Sequence, residues 1–148
     1  MVRLEYRLLD AQQGYPVLYH YDSIDKDEVS LRFACDYFVK ERTVYEKTSA
    51  AIERDTYVIY VKPAEDEKAV DYSDAVPLRW GRVQLEVREY KEGTELYPLI
   101  HTYQFLDDED ALLHLQANYL YLQEQEWEKT STEVDEDRRV YIYYAQRT

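Results

Sequence analysis

The chain has very few of the residues that form disulfides, phosphate loops or zinc sites. Its 148 residues include one cysteine, three glycines, four prolines and three histidines. The single cysteine, Cys35, excludes an intramolecular disulfide and disfavours a zinc–thiolate cluster. There is no glycine-rich phosphate loop, no Gly-x-Ser-x-Gly elbow and no His-Glu-x-x-His helix. We therefore expect no cofactor, no metal and no catalytic residue that a motif would identify, and we lean against an enzyme.

Basic residues and long apolar runs are also scarce. Lysine and arginine total 18 against 31 aspartates and glutamates, a net charge of −13. This charge repels phosphate backbones, so we expect no nucleic-acid partner. It suits a basic protein partner or a cation, or it serves solubility alone. No apolar run is long enough for a membrane span, and residues 1–10 lack the apolar core of a signal peptide. We expect a cytoplasmic protein without a membrane partner.

Two polar groupings invite a chemical interpretation. His114 has Asp110 and Asn118 one helical turn away on either side, an arrangement that suits either a general base or an exposed helix face. Residues 107–110 are all acids, but neighbouring side chains on a helix point in different directions and rarely share one ion. No histidine is shared by the two halves of the chain, and we assign neither grouping a function.

The chain contains an internal repeat. Residues 15–62 align without a gap on residues 97–144 at a constant offset of 82, with 12 of 48 positions identical. Average composition would give roughly three identities by chance. Upstream, residues 2–7 match residues 83–88 at an offset of 81. We predict a single pseudo-twofold domain made of repeat 1 (residues 1–62), an acidic linker (63–79) and repeat 2 (80–148).

Hydrophobic periodicity predicts the same elements in each repeat. An alternating segment and a turn give a strand hairpin, and a third strand is predicted at residues 56–62 and 138–144. Between them we predict a long helix from Asp25 to Lys47 and from Asp107 to Lys129, each beginning at an aspartate N-cap. The predicted fold class is α+β: a duplicated β-β-α-β unit forming antiparallel sheet with two long helices packed on one side. Whether six strands form one sheet or two stays open.

Each predicted helix carries two apolar stripes instead of one. A helix that covers a sheet and faces water needs a single stripe. The second stripe therefore predicts a cover, either the other repeat or another subunit, and we favour burial between the repeats. This stripe includes Phe33, Tyr37, Leu115 and Tyr119.

The segment from Pro63 to Pro77 has no counterpart in the other repeat. Prolines bracket it, acids dominate it and no hydrophobic period organises it. We predict an exposed, dispensable linker whose acids make no pair inside the core.

Candidate binding residues come from the best-matched pentapeptide and from the tyrosines. Tyr45 to Ser49 corresponds to Trp127 to Ser131, with Glu-Lys-Thr-Ser in both copies. It is either a repeated site with hydroxyls beside an aromatic wall or a structural helix exit. The 17 tyrosines suit an aromatic cleft, a recognition surface or ordinary core filling. The candidate binding residues are Tyr37, Tyr119, Tyr45, Trp127, Thr48 and Thr130.

Two functions follow from these features. The leading hypothesis is a non-enzymatic binding or regulatory module that acts through protein–protein contact, with a basic partner or with a second copy. The alternative is a small-molecule-binding protein or enzyme with a tyrosine-lined pocket at the repeat interface. An acidic mimic of nucleic acid is a distant third. A concave cavity with several convergent polar groups would favour the small-molecule alternative.

Overall fold

A computed structural model describes all 148 residues. Half of the residues lie in strands and 14% in helices, and the strands form one mixed ten-stranded sheet. The strands are β1 (Val2–Leu8), β2 (Val17–Ile24), β3 (Tyr37–Lys40), β4 (Thr43–Ile52), β5 (Thr56–Pro63), β6 (Val83–Glu89), β7 (Leu99–Phe105), β8 (Tyr119–Leu122), β9 (Gln125–Asp135) and β10 (Val140–Arg147). The helices are α1 (Lys26–Phe33) and α2 (Asp108–Gln116), and a 3-10 turn spans Ala11–Gln13.

The predicted α+β fold with two long helices is wrong. The helices have eight and nine residues, and the remainder of each predicted helix is a strand hairpin, β3–β4 or β8–β9. Two-residue turns connect these hairpins at residues 41–42 and 123–124, and all four turn residues have positive φ. Such turns favour Asn-Gly or Asp-Gly, whereas the chain has Glu-Arg and Gln-Glu. No asparagine, aspartate or glycine at these turn positions indicated where the chain reverses.

Both predicted helix starts are confirmed. The Asp25 side chain accepts a hydrogen bond from the Asp27 N–H, and the Asp107 side chain accepts one from the Asp110 N–H. At the other end, the Nζ of Lys129 on β9 donates to the Leu115 carbonyl at 3.0 Å. Lys47 on β4 makes the equivalent bond to the Phe33 carbonyl. A cation is favourable at a helix C-terminus, so each lysine stabilises its helix from the neighbouring strand.

The sheet order is β2-β1-β5-β4-β3-β9-β10-β6-β7, with β8 also paired to β9. The sheet is mixed and not antiparallel, because β1/β5, β6/β10 and β3/β9 are parallel pairs. Residues 1–63 and 83–147 contain the same element order, β-β-α-β-β-β, with matching strand pairings inside each half. The unit is therefore longer than the expected β-β-α-β. That the halves arose by duplication about a pseudo-twofold axis stays a prediction.

The halves join where β3 pairs in parallel with the C-terminal part of β9. Asp36 and Thr132 tie this junction together. The Asp36 N–H donates to the Thr132 carbonyl at 2.9 Å, the Thr132 N–H donates to the Asp36 carboxylate at 3.0 Å, and the Thr132 hydroxyl donates to the Ala34 carbonyl. At the equivalent positions stand Asn118 and Ala50. Alanine has no side-chain donor or acceptor, and β8 makes no pair with β4.

Both helices pack into one core on one face of the sheet. This core combines residues from α1 and α2 with inward-facing residues from both halves, including Leu4, Phe38, Leu85, Val134 and Tyr143. The predicted second stripe does not exist as a helix face, since two of its four residues lie on strands. Leu115 is buried and Phe33 packs at the core edge, whereas Tyr119 is exposed.

The opposite face of the second half is also covered. Val140, Ile142 and Tyr144 alternate with the core residues of β10 and pack with Tyr72, Tyr90 and Tyr97. Tyr72 belongs to residues 64–82, the covering segment, which connects β5 to β6. The expectation that this segment pairs no acid with the interior is wrong, because Asp74 Oδ1 lies 2.9 Å from Nη1 of the fully buried Arg88. Burial of β10 on both faces explains its nearly continuous apolar sequence.

Neither helix has the length and apolar character needed to cross a membrane.

Candidate functional site

A cavity of about 270 Å³ lies beside the β3/β9 junction, on the face of the sheet opposite the helices. Four parts of the chain line it: the ends of β3 and β4, the C-terminal part of β9 with β10, the connection between β6 and β7, and the covering segment. Its lining includes five of the 17 tyrosines and three carboxylates. The tyrosines are Tyr37, Tyr72, Tyr90, Tyr97 and Tyr144, and the carboxylates are Glu67, Glu133 and Asp135.

Strand alternation places the polar groups of β9 in this cavity. Ser131, Glu133 and Asp135 line it, whereas Val134 between them belongs to the helix-side core. Successive side chains of a strand point to opposite faces of the sheet, so the cavity residues and the core residue alternate along β9. The same alternation on β10 sends Tyr144 into the cavity lining and its neighbour Tyr143 into the helix-side core.

Three of the tyrosines form a continuous aromatic wall. The rings of Tyr90 and Tyr97 stack with centroids 5.6 Å apart, and the rings of Tyr97 and Tyr144 meet edge to face at 5.3 Å. The hydroxyls of Tyr72 and Tyr144 lie 2.9 Å apart and share a hydrogen bond. Burial raises the pKa of both phenols, so the hydroxyls stay protonated at neutral pH. The wall is therefore apolar on its ring faces, and the protonated hydroxyls of Tyr72 and Tyr144 lie at its edge.

Glu133 is the most unusual residue of the cavity. Only 9% of it is exposed, and its one side-chain hydrogen bond comes from the Tyr144 hydroxyl at 3.4 Å. No lysine, arginine or histidine forms an ion pair with it. Burial, reinforced by the neighbouring Asp135 carboxylate, raises the pKa of Glu133 to about 8. A carboxyl group in this setting is neutral at pH 7 and available to a ligand either as a proton donor or, once ionised, as an anion.

Nearby acids on the same face are neutralised, in contrast to Glu133. Glu86 is fully buried, yet its two carboxylate oxygens accept from Arg88 and Arg138 at 2.9 Å. Burial opposes its ionisation, but these hydrogen bonds outweigh burial and keep the pKa of Glu86 below its usual value. Asp135 accepts from Arg138 Nε at 3.1 Å, although burial still leaves the pKa of Asp135 raised. Four acids are buried in the protein, Glu5, Glu86, Glu133 and Asp135, and Glu133 alone lacks an arginine partner.

The covering segment is anchored to the sheet by the same arginines. The ring of Tyr72 lies over the guanidinium of Arg88, 3.6 Å from ring centroid to Cζ, with Arg138 at 5.0 Å. Asp74 accepts from Arg88 through one oxygen and from the Leu99 N–H through the other. Cation–π contact and charge-assisted hydrogen bonds both strengthen when water is excluded. These contacts hold the segment over the cavity.

The predicted binding residues are not brought together. Tyr37 and Thr130 line the cavity, on β3 and β9. Trp127 is buried in the helix-side core, and Tyr45 packs at its edge against Phe38. The remaining two, Thr48 and Tyr119, are exposed on β4 and β8, away from the cavity.

The repeated Glu-Lys-Thr-Ser sequence has a structural explanation. The pairing of β4 with β5 skips Thr48, and the pairing of β9 with β10 skips Thr130, so both threonines are extra residues at β-bulges. The Thr48 hydroxyl donates to the Tyr60 carbonyl at 3.1 Å. The preceding lysine closes the end of the helix in each half. The bulge and the helix-end bond together account for the shared threonine and lysine without a ligand.

Sequence reasoning missed Glu133, Tyr72, Tyr90, Tyr97 and Tyr144. One signal was present: Glu133 aligns with Ala51 in the other repeat, so a charged residue occupies a strand position that the fold fills elsewhere with a small apolar one. Tyr72 lies in the segment without a counterpart and carried no periodic signal. Pairing of β10 with β9 and β6 brings the other four together, and the covering segment's path over the sheet adds Tyr72.

The other sequence candidates sit apart from the cavity. The Nδ1–H of His114 donates to the Asp110 carbonyl at 2.7 Å, and its ring packs against Tyr103 and Phe105. No group of three or more histidine, cysteine, aspartate or glutamate side chains is arranged to hold a metal ion. The buried Cys35 thiol donates to the Leu31 carbonyl.

Comparisons of the chain with protein-family models, with curated proteins and with solved structures find no match.

Proposed function

We propose that this protein binds a small organic molecule in the cavity between the sheet and the covering segment. The observation that carries the proposal is a partly enclosed, tyrosine-walled cavity that contains a buried carboxyl group without a basic partner. Ligand sites are typically concave, largely apolar and supplied with a few convergent polar groups. A liquid water occupies about 30 Å³, so the cavity suits a molecule on the order of ten non-hydrogen atoms.

The protein-contact function that the sequence favoured loses its main structural basis. It depended on a second apolar stripe along each long helix, and the helices are too short to present one. The strong negative charge remains compatible with a basic protein partner. The cavity provides a more specific arrangement of groups, and it favours the small-molecule alternative.

A ligand screen tests the proposal. Saturation-transfer NMR would examine a library of charged and neutral molecules of about ten non-hydrogen atoms, a size set by the cavity volume. We expect several to bind, and we expect Ser131→Phe to abolish their binding by filling the cavity. Ser49→Phe is the matched control, because Ser49 is the equivalent residue of the first half and lies outside the cavity.

Binding that survives Ser131→Phe would place the site elsewhere and contradict the proposal. If no molecule binds and sedimentation shows that the protein associates with itself, the protein-contact function is the better explanation.

A further inference from the structure

The unpaired carboxyl group and the aromatic wall together restrict the chemistry of the ligand. A cation gains from the faces of tyrosine rings and from an ionised carboxylate. A neutral molecule gains only the apolar contact and one hydrogen bond. The cavity has both groups in one place, since Glu133 and the ring of Tyr144 lie on adjacent strands with the Tyr97 ring against Tyr144.

The charges around the cavity favour a cation. Three carboxyl groups line it, from Glu67, Glu133 and Asp135, and Glu133 becomes an anion when it loses its proton; the one lysine, Lys68, makes no ion pair. Arg138 stands beside the cavity, but its guanidinium is already shared between Glu86 and Asp135. Several titratable groups line the cavity with Glu133 or lie beside it. They are Asp135 on its own strand, Tyr144 on β10, Tyr37 on β3, Arg138 in the β9–β10 turn, Glu67, Lys68 and Tyr72 on the covering segment, and Tyr90 and Tyr97 between β6 and β7.

The first half shows that the fold does not require an acid at this position. Ala51 stands where Glu133 stands in the second half. A buried carboxyl group without a partner costs stability, because its ionised form loses hydration and gains nothing in return. A positively charged ligand would supply the missing partner, as Arg88 and Arg138 do for Glu86.

We infer that the cavity takes a small organic cation, an amine or a quaternary ammonium compound, whose charge lies against Glu133 and the tyrosine ring faces. This inference rests on the proposed function. Binding couples to one proton: Glu133 gives up its proton as the cation enters, and the proton passes to solvent. Affinity for a permanently charged ligand therefore rises with pH until Glu133 is ionised in the free protein.

Pairs of ligands with the same shape and different charge test the inference. Choline and 3,3-dimethylbutan-1-ol form one pair, and benzylamine and benzyl alcohol form the other. We expect each cation to bind at least about tenfold more tightly than its neutral partner at pH 8, as one charge-assisted contact would give. Choline keeps its charge at every pH, so its pH dependence reports the protein alone.

For choline we expect the affinity to increase by about tenfold per pH unit between pH 6 and pH 8 and then to level off. Calorimetry at pH 7 in buffers of different ionisation enthalpy should detect release of about one proton per choline bound. Glu133→Gln should remove both effects and weaken choline binding. Glu128→Gln, the same change at an exposed position of β9, should preserve them.

The aromatic contribution has its own test. Tyr97→Phe keeps a ring face and should bind choline as the native protein does, whereas Tyr97→Leu should weaken binding by about tenfold. Comparable proton NMR spectra of all variants would establish that each is folded.

Each other outcome overturns the inference in a recognisable way. If the neutral partners bind as well as the cations, or if choline affinity does not change with pH, the inferred contact between a cationic ligand and Glu133 does not exist. When such neutral binding is still lost in Ser131→Phe, the proposed small-molecule function stands. If no member of the pairs or of the wider library binds, the inference and the proposed function fail together.

Discussion

Glu133 and Glu86 show how one face of a sheet can treat two buried acids in opposite ways. Both face the covering segment, but Glu86 has two arginines and Glu133 has a tyrosine hydroxyl. Burial lowers the stability of the ionised form in each case, and only Glu86 recovers the loss. The pKa values therefore move apart, downward for Glu86 and up to about 8 for Glu133.

The raised pKa of Glu133 makes a prediction about stability. In the unfolded chain a glutamate ionises near pH 4.3, so between about pH 4.5 and pH 8 the folded state holds one more proton than the unfolded state. As the pH rises, the ionisation of Glu133 should then decrease the free energy of unfolding by about 1.4 kcal/mol per pH unit. Urea titrations of the native protein and Glu133→Gln between pH 5 and pH 9 would measure the difference. Above pH 8 the variant should be the more stable of the two.

A difference between the two proteins that stays constant across this pH range would show that Glu133 ionises normally. Glu86 affects stability in the opposite direction. Its contribution to the free energy of unfolding is present above its unfolded pKa and is lost as the pH falls through its lowered folded pKa. The two residues therefore affect separate pH windows.

At the scale of the element, each short helix is followed by a tight hairpin that lacks turn chemistry. The turn residues Gln123 and Glu124 have φ of 54° and 60°, and their counterparts Glu41 and Arg42 have φ of 52° and 61°. For residues with a Cβ this conformation costs roughly 1 to 2 kcal/mol each. The first turn recovers part of this cost, because the Asp137 carboxylate accepts from the N–H of Glu41 and from that of Arg42.

The second turn has no carboxylate that accepts from its backbone N–H groups, although the Gln123 side-chain amide donates to the Ile100 carbonyl at 3.0 Å, and its strained φ angles make it a target for stabilisation. Replacing Gln123→Asn and Glu124→Gly would create the residue pair that a two-residue hairpin prefers. We expect the free energy of unfolding to rise by about 1 kcal/mol, since glycine and asparagine tolerate positive φ. Thermal and urea unfolding would measure it. Glu126→Gly, two residues into β9, is the control and should lower stability instead, because glycine weakens a strand.

If the double substitution destabilises the protein, the hairpin does not turn at these residues. That result would also undermine the placement of β8 and the shortened α2, because the three features share the same chain path.

At the scale of the whole molecule, the covering segment acts as a third layer over half of the sheet. It buries the second face of β10 and completes the cavity. Its attachment is polar: Tyr72 on Arg88, Asp74 on Arg88, and the Val76 carbonyl on the Gln84 amide. A segment without apolar periodicity can be packed in this way when buried arginines on the sheet supply its partners.

The contrast between two aspartates tests this attachment. Asp74 pairs with the fully buried Arg88, and Asp71 pairs with the exposed Arg42. We expect Asp74→Ala to lower the free energy of unfolding by about 1 to 2 kcal/mol, because a hydrogen bond to a buried charge is lost. Asp71→Ala should change stability very little, as for most exposed ion pairs. Urea unfolding would compare them, and hydrogen exchange should show faster exchange along the covering segment only in Asp74→Ala.

Equal effects from the two substitutions would mean that the segment is not anchored through Arg88. The original expectation of a dispensable linker would then describe it correctly.

Local patterns in the sequence determined the local features of this protein. The aspartate caps at residues 25 and 107 begin helices because a short acceptor beside free N–H groups needs no distant partner. The alternating residues 2–8 and 83–89 form strands in the structure, because a period of two is also a local pattern that needs no distant partner. Matching residues in the two halves adopt matching elements, even where the type of element was predicted incorrectly.

Only the tertiary structure decided where the helices end, how the halves join and where a cavity forms. Residues 37–47 have no glycine or proline, and as β3 and β4 they pair with β9 and β5 while Asp137 supports their turn. The covering segment binds the sheet through Arg88, whose position in space no spacing along the chain reveals. Glu133 stays without an arginine because the two nearest ones are held by Glu86, Asp135 and Asp74. Each of these outcomes depends on residues distant in sequence competing for the same partners.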